Sequence, residues 1–259
     1  MIGSISRWVV CACLAHGAGA TWLQPGAAAA SERAAVDSAH PAPEGPLASA
    51  RPADGLHRFV IRQMRDGDST WTTAGTMMVT KATLAEPSGA VVRRVIVYDY
   101  GARGRVVDTT RSVAATLAPV AERTYKPSGI ITLDFAGRVV TGAMGAATAP
   151  KAIRDSLTAP AFNSTDLDLI VRSLELREGL RARLPLYDPE FGGFRYATVE
   201  VERDRAARGA PSAGDVWVIV LHDTRVQSTY RVNGTTRALL GIHVSVPERH
   251  VTYDIAPEE

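Results

Sequence analysis

Along most of the chain the apolar side chains recur at every second position rather than every third or fourth. In RVQSTYRV, Val226, Ser228, Tyr230 and Val232 fall on one side of an extended backbone. Arg225, Gln227, Thr229 and Arg231 fall on the other, the pattern of a strand with one wet face. HVTYDI repeats it, with Val251, Tyr253 and Ile255 inward and His250, Thr252 and Asp254 outward. Further strands are predicted at LHRFVIRQMR from Leu56, TWTTAGTMMVTKATL from Thr70, VVRRVIVYDY from Val91, GIITLDFAG from Gly129, FRYATVEVE from Phe194 and RALLGIHVSV from Arg237. Turn residues separate them: Asp66-Gly67-Asp68, Pro87-Ser88-Gly89, Gly101 to Gly104, Pro127-Ser128-Gly129 and Asn233-Gly234. Short loops between sequence neighbours predict a mostly antiparallel sheet. DVWVIVLHD departs from the pattern, with Val216, Val218 and Val220 on one face and Trp217, Ile219 and Leu221 on the other. That strand is expected to be covered on both sides.

Two segments carry a helical period. Leu167, Ile170, Val171 and Leu174 stand at i, i+3, i+4 and i+7, with Asn163-Ser164-Thr165 as cap candidates and Asp166 and Asp168 in the first turn. Arg177 and Gly179 suit the end of that helix. After Gly179, Ala182, Leu184 and Leu186 alternate with Arg181, Arg183 and Pro185, so a strand follows directly. The clustered charges of this stretch are those of a helix-to-strand joint rather than of a catalytic centre. A shorter helix is predicted from Pro150, with Ile153 and Leu157 inward.

Composition alters this picture mainly at the N-terminus. Arg7, the apolar run from Trp8 to Ala15 and the small residues Ala27 to Ala30 form a secretory signal pattern, predicting residues 1–30 as a signal peptide cleaved near Ala30. The run is too short to span a bilayer, so no transmembrane span is expected after cleavage, and the mature chain is expected in the periplasm or otherwise exported. Cleavage would remove Cys11 and Cys13 and with them disulfide, thiol and Cys-metal chemistry. Residues 31–54, rich in Ala and Pro, read as a flexible leader, and residues 55–259 as a single β-rich domain. With 46% hydrophobic residues, 22% charged residues and a net charge of +2, the chain is an ordinary globular one without a nucleic-acid footprint.

Several residue pairs merit a chemical test. His222-Asp223 ends an apolar strand and is the pair a hydrolase would use. His243 and His250 are close in sequence, but Pro247 interrupts them and no HExxH occurs. Glu200 and Glu202 share a strand face opposite Ala197, Val199 and Val201, so they are expected in water. Asn163-Ser164-Thr165 and Asn233-Gly234-Thr235 match the glycosylation sequon, and each also has a capping or turn role. No nucleophile elbow, phosphate loop or dinucleotide fingerprint is present. These residues yield no catalytic assignment, no ligand-binding assignment and no metal or other cofactor.

The hairpin GIITLDFAGRVVTG, the segment FNSTDLDLIVRSLELREGLRARLPLYDP, and the WVIV strand followed by STYRVNGTTRALLG resemble an uncharacterised family of exported bacterial proteins. The members of that family are similar in fold to the periplasmic lipoprotein carriers and LppX-like lipid-binding proteins. The resemblance implies a curved antiparallel sheet forming a half-barrel, with one or two helices on its concave face. It also implies a non-enzymatic periplasmic binding or carrier protein for a lipid-like ligand or lipoprotein acyl chain. The alternatives are a cell-envelope structural or interaction protein with a filled core, and a hydrolase using His222 and Asp223.

Overall fold

The computed structural model describes residues 43–87, 89–204, 215–223 and 226–258. The expected signal segment 1–30, with Cys11 and Cys13, lies outside these residues, as do His40, Arg225 and residues 31–42 of the expected leader.

The alternating stretches form one sheet. Its first half runs through β1 (Gly55–Arg65), β2 (Thr72–Glu86), β3 (Gly89–Asp99), β4 (Arg105–Val113), β5 (Pro119–Lys126), β6 (Gly129–Ala136), β7 (Val139–Gly145) and β8 (Lys151–Ser156). The short β9 (Phe162–Asn163) leads into a 3-10 turn (Ser164–Asp166) and the helix α1 (Leu167–Arg172). The second half runs through β10 (Leu180–Asp188), β11 (Gly193–Arg203), β12 (Val216–His222), β13 (Gln227–Asn233), β14 (Leu239–Val246) and β15 (Val251–Pro257).

The strand order is β8-β7-β6-β5-β4-β3-β2-β1-β15-β14-β13-β12-β11-β10-β9. Each neighbouring pair is antiparallel except β9 with β10. The meander therefore starts and finishes in the middle of the sheet, where β1 and β15 pair from Phe59↔Pro257 to Arg65↔Val251. β8 and β9 are its two backbone edges.

Laid flat, β8 and β10 would stand thirteen strand spacings apart, or roughly 60 Å at ~4.8 Å each. Instead the Tyr187 hydroxyl of β10 donates to Asp155 Oδ2 of β8 at 2.5 Å. Tyr187 also meets Phe135 of β6 edge to face at 5.8 Å. The sheet is not closed by backbone pairing, so it is a curved ribbon whose far ends meet through side chains. Ile131, Leu133, Phe135, Val140, Leu157, Ala161 and Tyr187 pack together on this side. The larger apolar cluster gathers the inward residues of the remaining strands with Leu167, Leu169, Ile170, Val171 and Leu174.

Three expectations change. The helix predicted from Pro150 is instead the edge strand β8, in which Ile153 and Asp155 face inward more than their neighbours and Val139↔Ser156 opens the pairing with β7. A spacing of four, as between Ile153 and Leu157, fits a strand as well as a helix, and the available partner strand decides it. On β12, Trp217, Ile219 and Leu221 are buried while Val218 and Val220 are only half-buried, so the second face is not fully covered. The helix of the DLDLIVRSLELREG stretch ends at Arg172 rather than near Arg177.

The reason for that early end lies in the segment expected to be a flexible leader. From Pro43 onward it packs on the domain: Leu47 bridges Leu174, the Ala48 amide donates to Ser173 O at 2.8 Å and the Glu175 amide to Pro46 O at 2.8 Å. The Ser173 hydroxyl meanwhile bonds back to Leu169 O at 2.8 Å. Backbone groups that would continue the helix are thus taken by an extended neighbour.

Candidate functional site

The site is the concave interior, where residues 164–174 form a plug inside the curl. Asn163 Oδ1 accepts from the Thr165 amide at 3.1 Å, which caps the 3-10 turn and directs the chain inward. Apolar side chains of α1 cover the sheet, and the first turn carries carboxylates into it. Arg94 of β3, 1% exposed, donates from Nη1 to Asp166 Oδ1 at 2.8 Å and from Nη2 to Asp168 Oδ1 at 2.5 Å. Thr110 and Ser112 of β4 donate to the two oxygens of Asp166 at 2.6 and 2.7 Å.

The other end of the plug is fixed equally firmly. Arg172 Nε donates to Arg237 O at 2.7 Å, and Arg237 Nη1 donates to Leu174 O at 2.7 Å. On further sides Ser164 donates to Asp188 at 2.7 Å and Thr165 to Glu122 at 3.2 Å. The plug therefore touches β3, β4, β5 and β10 and the β13–β14 turn at once, which is possible only because the sheet wraps around it.

Electrostatics agree with this geometry. Burial opposes the Arg94 charge, but Asp168 and Asp166 outweigh it and raise the guanidinium pKa, so the cation persists at any accessible pH. Arg172 is lowered by burial first, with Asp168 opposing and Arg94 adding to the drop. The phenols of Tyr98 and Tyr230 are pushed up, chiefly by burial.

His57 of β1 lies in the same electrostatic surroundings. Its imidazole is lowered by burial first and then by Arg172, with Asp168 opposing. The unfolded chain therefore takes up this proton first as pH falls below the ordinary 6.5, so the contribution is complete above that pH and declines beneath it. The melting temperature is expected to be level above about pH 7 and to fall as pH drops through about 6.5. His57→Gln removes that component of the slope. Asp54, lowered mainly by its hydrogen bond to Lys81, contributes in a separate window, since its share is lost only below the ordinary 3.8.

Between plug and sheet lies a cavity of about 30 Å³, lined by Met77, Tyr98, Leu167, Asp168, Ile242 and Val244 among others. It has room for about one or two waters, and small-molecule pockets start at roughly 300 Å³.

The pairs singled out from sequence are dispersed. His222 is exposed at the end of β12, and the Asp223 carboxylate accepts from Arg195 Nε at 2.7 Å. His243 packs edge to face against Trp71 at 6.3 Å, whereas His250 pairs with Asp66 at 3.1 Å. Glu200 lies 3.3 Å from Arg181 Nε, and Glu202 is exposed. Among the described residues no three His, Cys, Asp or Glu side chains are arranged to hold a metal ion. Among the same residues, no helix is long and apolar enough to cross a membrane.

Sequence reasoning missed Arg94, Thr110 and Ser112, the sheet's share of the interior network. A signal existed. Arg94 stands in phase with buried Val92 and Ile96, and Thr110 and Ser112 stand in phase with buried Val106.

Residues 58–223, more than half of the chain, match the family described as "Protein of unknown function (DUF3108)". The chain belongs to the DUF3108 family. The matched region runs from β1 through β12 and includes Arg94 and the whole plug, whereas β13, β14 and β15 follow it. Neither the curated proteins nor the solved structures give a match.

Proposed function

We propose that this DUF3108 protein is an exported, non-enzymatic binding protein that holds a lipid-like apolar ligand on its concave face and closes that face with its own plug when empty. The observation that carries the reading is the way the plug is held. A six-residue helix covers an extended apolar surface, and much of its attachment is a polar cluster centred on Arg94. Displacing it exposes an apolar bowl able to take an acyl chain, each buried methylene contributing about 0.8 kcal/mol. The signal pattern of residues 1–30 supports a periplasmic site of action.

The small cavity favours a second reading, a cell-envelope structural or interaction protein whose core is simply filled. Native mass spectrometry of the chain purified from its own host separates the two. A bound species of lipid mass that leaves on activation is the expected result. Repeated spectra of the bare polypeptide favour the filled-core reading.

A further inference from the structure

Four donors of the sheet hold Asp166 and Asp168, while Arg172 of the plug itself stands 3.8 Å from Asp168. Arg94 Nη1 and Nη2, Thr110 Oγ1 and Ser112 Oγ converge on carboxylates supplied entirely by the plug. If the plug leaves, the sheet keeps the Arg94 guanidinium with two hydroxyls beside it and no counter-charge from this pair. A neutral apolar ligand would occupy the bowl and strand that cation, which is strongly opposed. A ligand with its own anion would restore the arrangement.

The apolar wall adjoins the same spot: Asp168 lines the cavity together with Met77, Tyr98, Ile242, Val244 and Ile255, so head and tail positions are continuous. We propose, building on the apolar-ligand reading above, that the ligand is an acyl chain with an anionic head, and that its head takes the place of the Asp166 and Asp168 carboxylates on Arg94, Thr110 and Ser112.

The test compares dodecanoate, lauroyl lysophosphatidylglycerol and dodecanol by isothermal titration with the full chain. One or both anionic probes bind at least about tenfold more tightly than the alcohol, a difference of about 1.4 kcal/mol. The carboxylate and the phosphodiester arms identify which source of the head is preferred. Arg94→Gln brings the anionic probe to the alcohol's level. The double variant Asp166→Asn and Asp168→Asn removes the competing carboxylates, retains Arg94, and tightens anionic binding above that of the parent. That gain is the opposite of what loss of a purely structural ion pair would give, and it decides the matter even if Arg94→Gln fails to fold. Equal binding of dodecanol and dodecanoate with no response to either set of variants overturns the anionic head and leaves the apolar-ligand reading standing. Absence of binding by all three probes, in the double variant as in the parent, overturns both.

Discussion

Arg94→Met is expected to lower stability by about 3–5 kcal/mol, because it leaves the buried Asp166 carboxylate without its cation and Asp168 with only Arg172, 3.8 Å away. For a chain of this size that is a fall in melting temperature of roughly 6–20 °C, at about 2–4 °C per kcal/mol. The methionine fills much of the volume, so lost packing accounts for little of the change. The diagnostic comparison is the triple variant that adds Asp166→Asn and Asp168→Asn. Amides keep the Thr110 and Ser112 contacts without a buried charge, so much of the loss returns. Failure of the two Asn substitutions to restore anything would mean that Arg94 acts through packing alone.

Phe162→Ala is the second large effect, with an expected cost of about 3–5 kcal/mol for a fully buried ring. Phe162 sits on β9, pairs with Leu186 of β10 and presents its ring both to Leu184's neighbourhood and to Gly45. A Cβ on Gly45 would stand 3.3 Å from the ring, so the N-terminal segment is fitted against it. Removing the ring loosens that segment and the entry to the plug together. Hydrogen exchange at the Ala48 and Glu175 amides, which bond across this joint, rises above that of the β12 and β13 amides. A uniform rise across the sheet would instead describe a global loss without a local joint.

These effects mark where the fold was legible. β13 and β15 alternate cleanly because each has one wet face, and the structure keeps the expected sides for Ser228, Tyr230, Val251 and Tyr253. The antiparallel order followed from short turns. β8 was opaque because a spacing of four residues does not distinguish the two periods. The docking of Pro43 to Leu47 was opaque because its partners, Phe162 and Leu174, lie more than a hundred residues away and leave no local pattern. Asp166 and Asp168 were legible as charges at a helix start, which they are, but not as partners of Arg94. Their meaning depends on β3 and β4 curling over them, and only the in-phase polar residues of those strands pointed to it.

The displaceable plug is tested most directly by hydrogen exchange with and without dodecanoate. Residues 164–174 are expected to lose protection on binding while β12, β13 and β14 keep theirs. Saturating ligand that leaves the plug as protected as in the free chain would contradict the account.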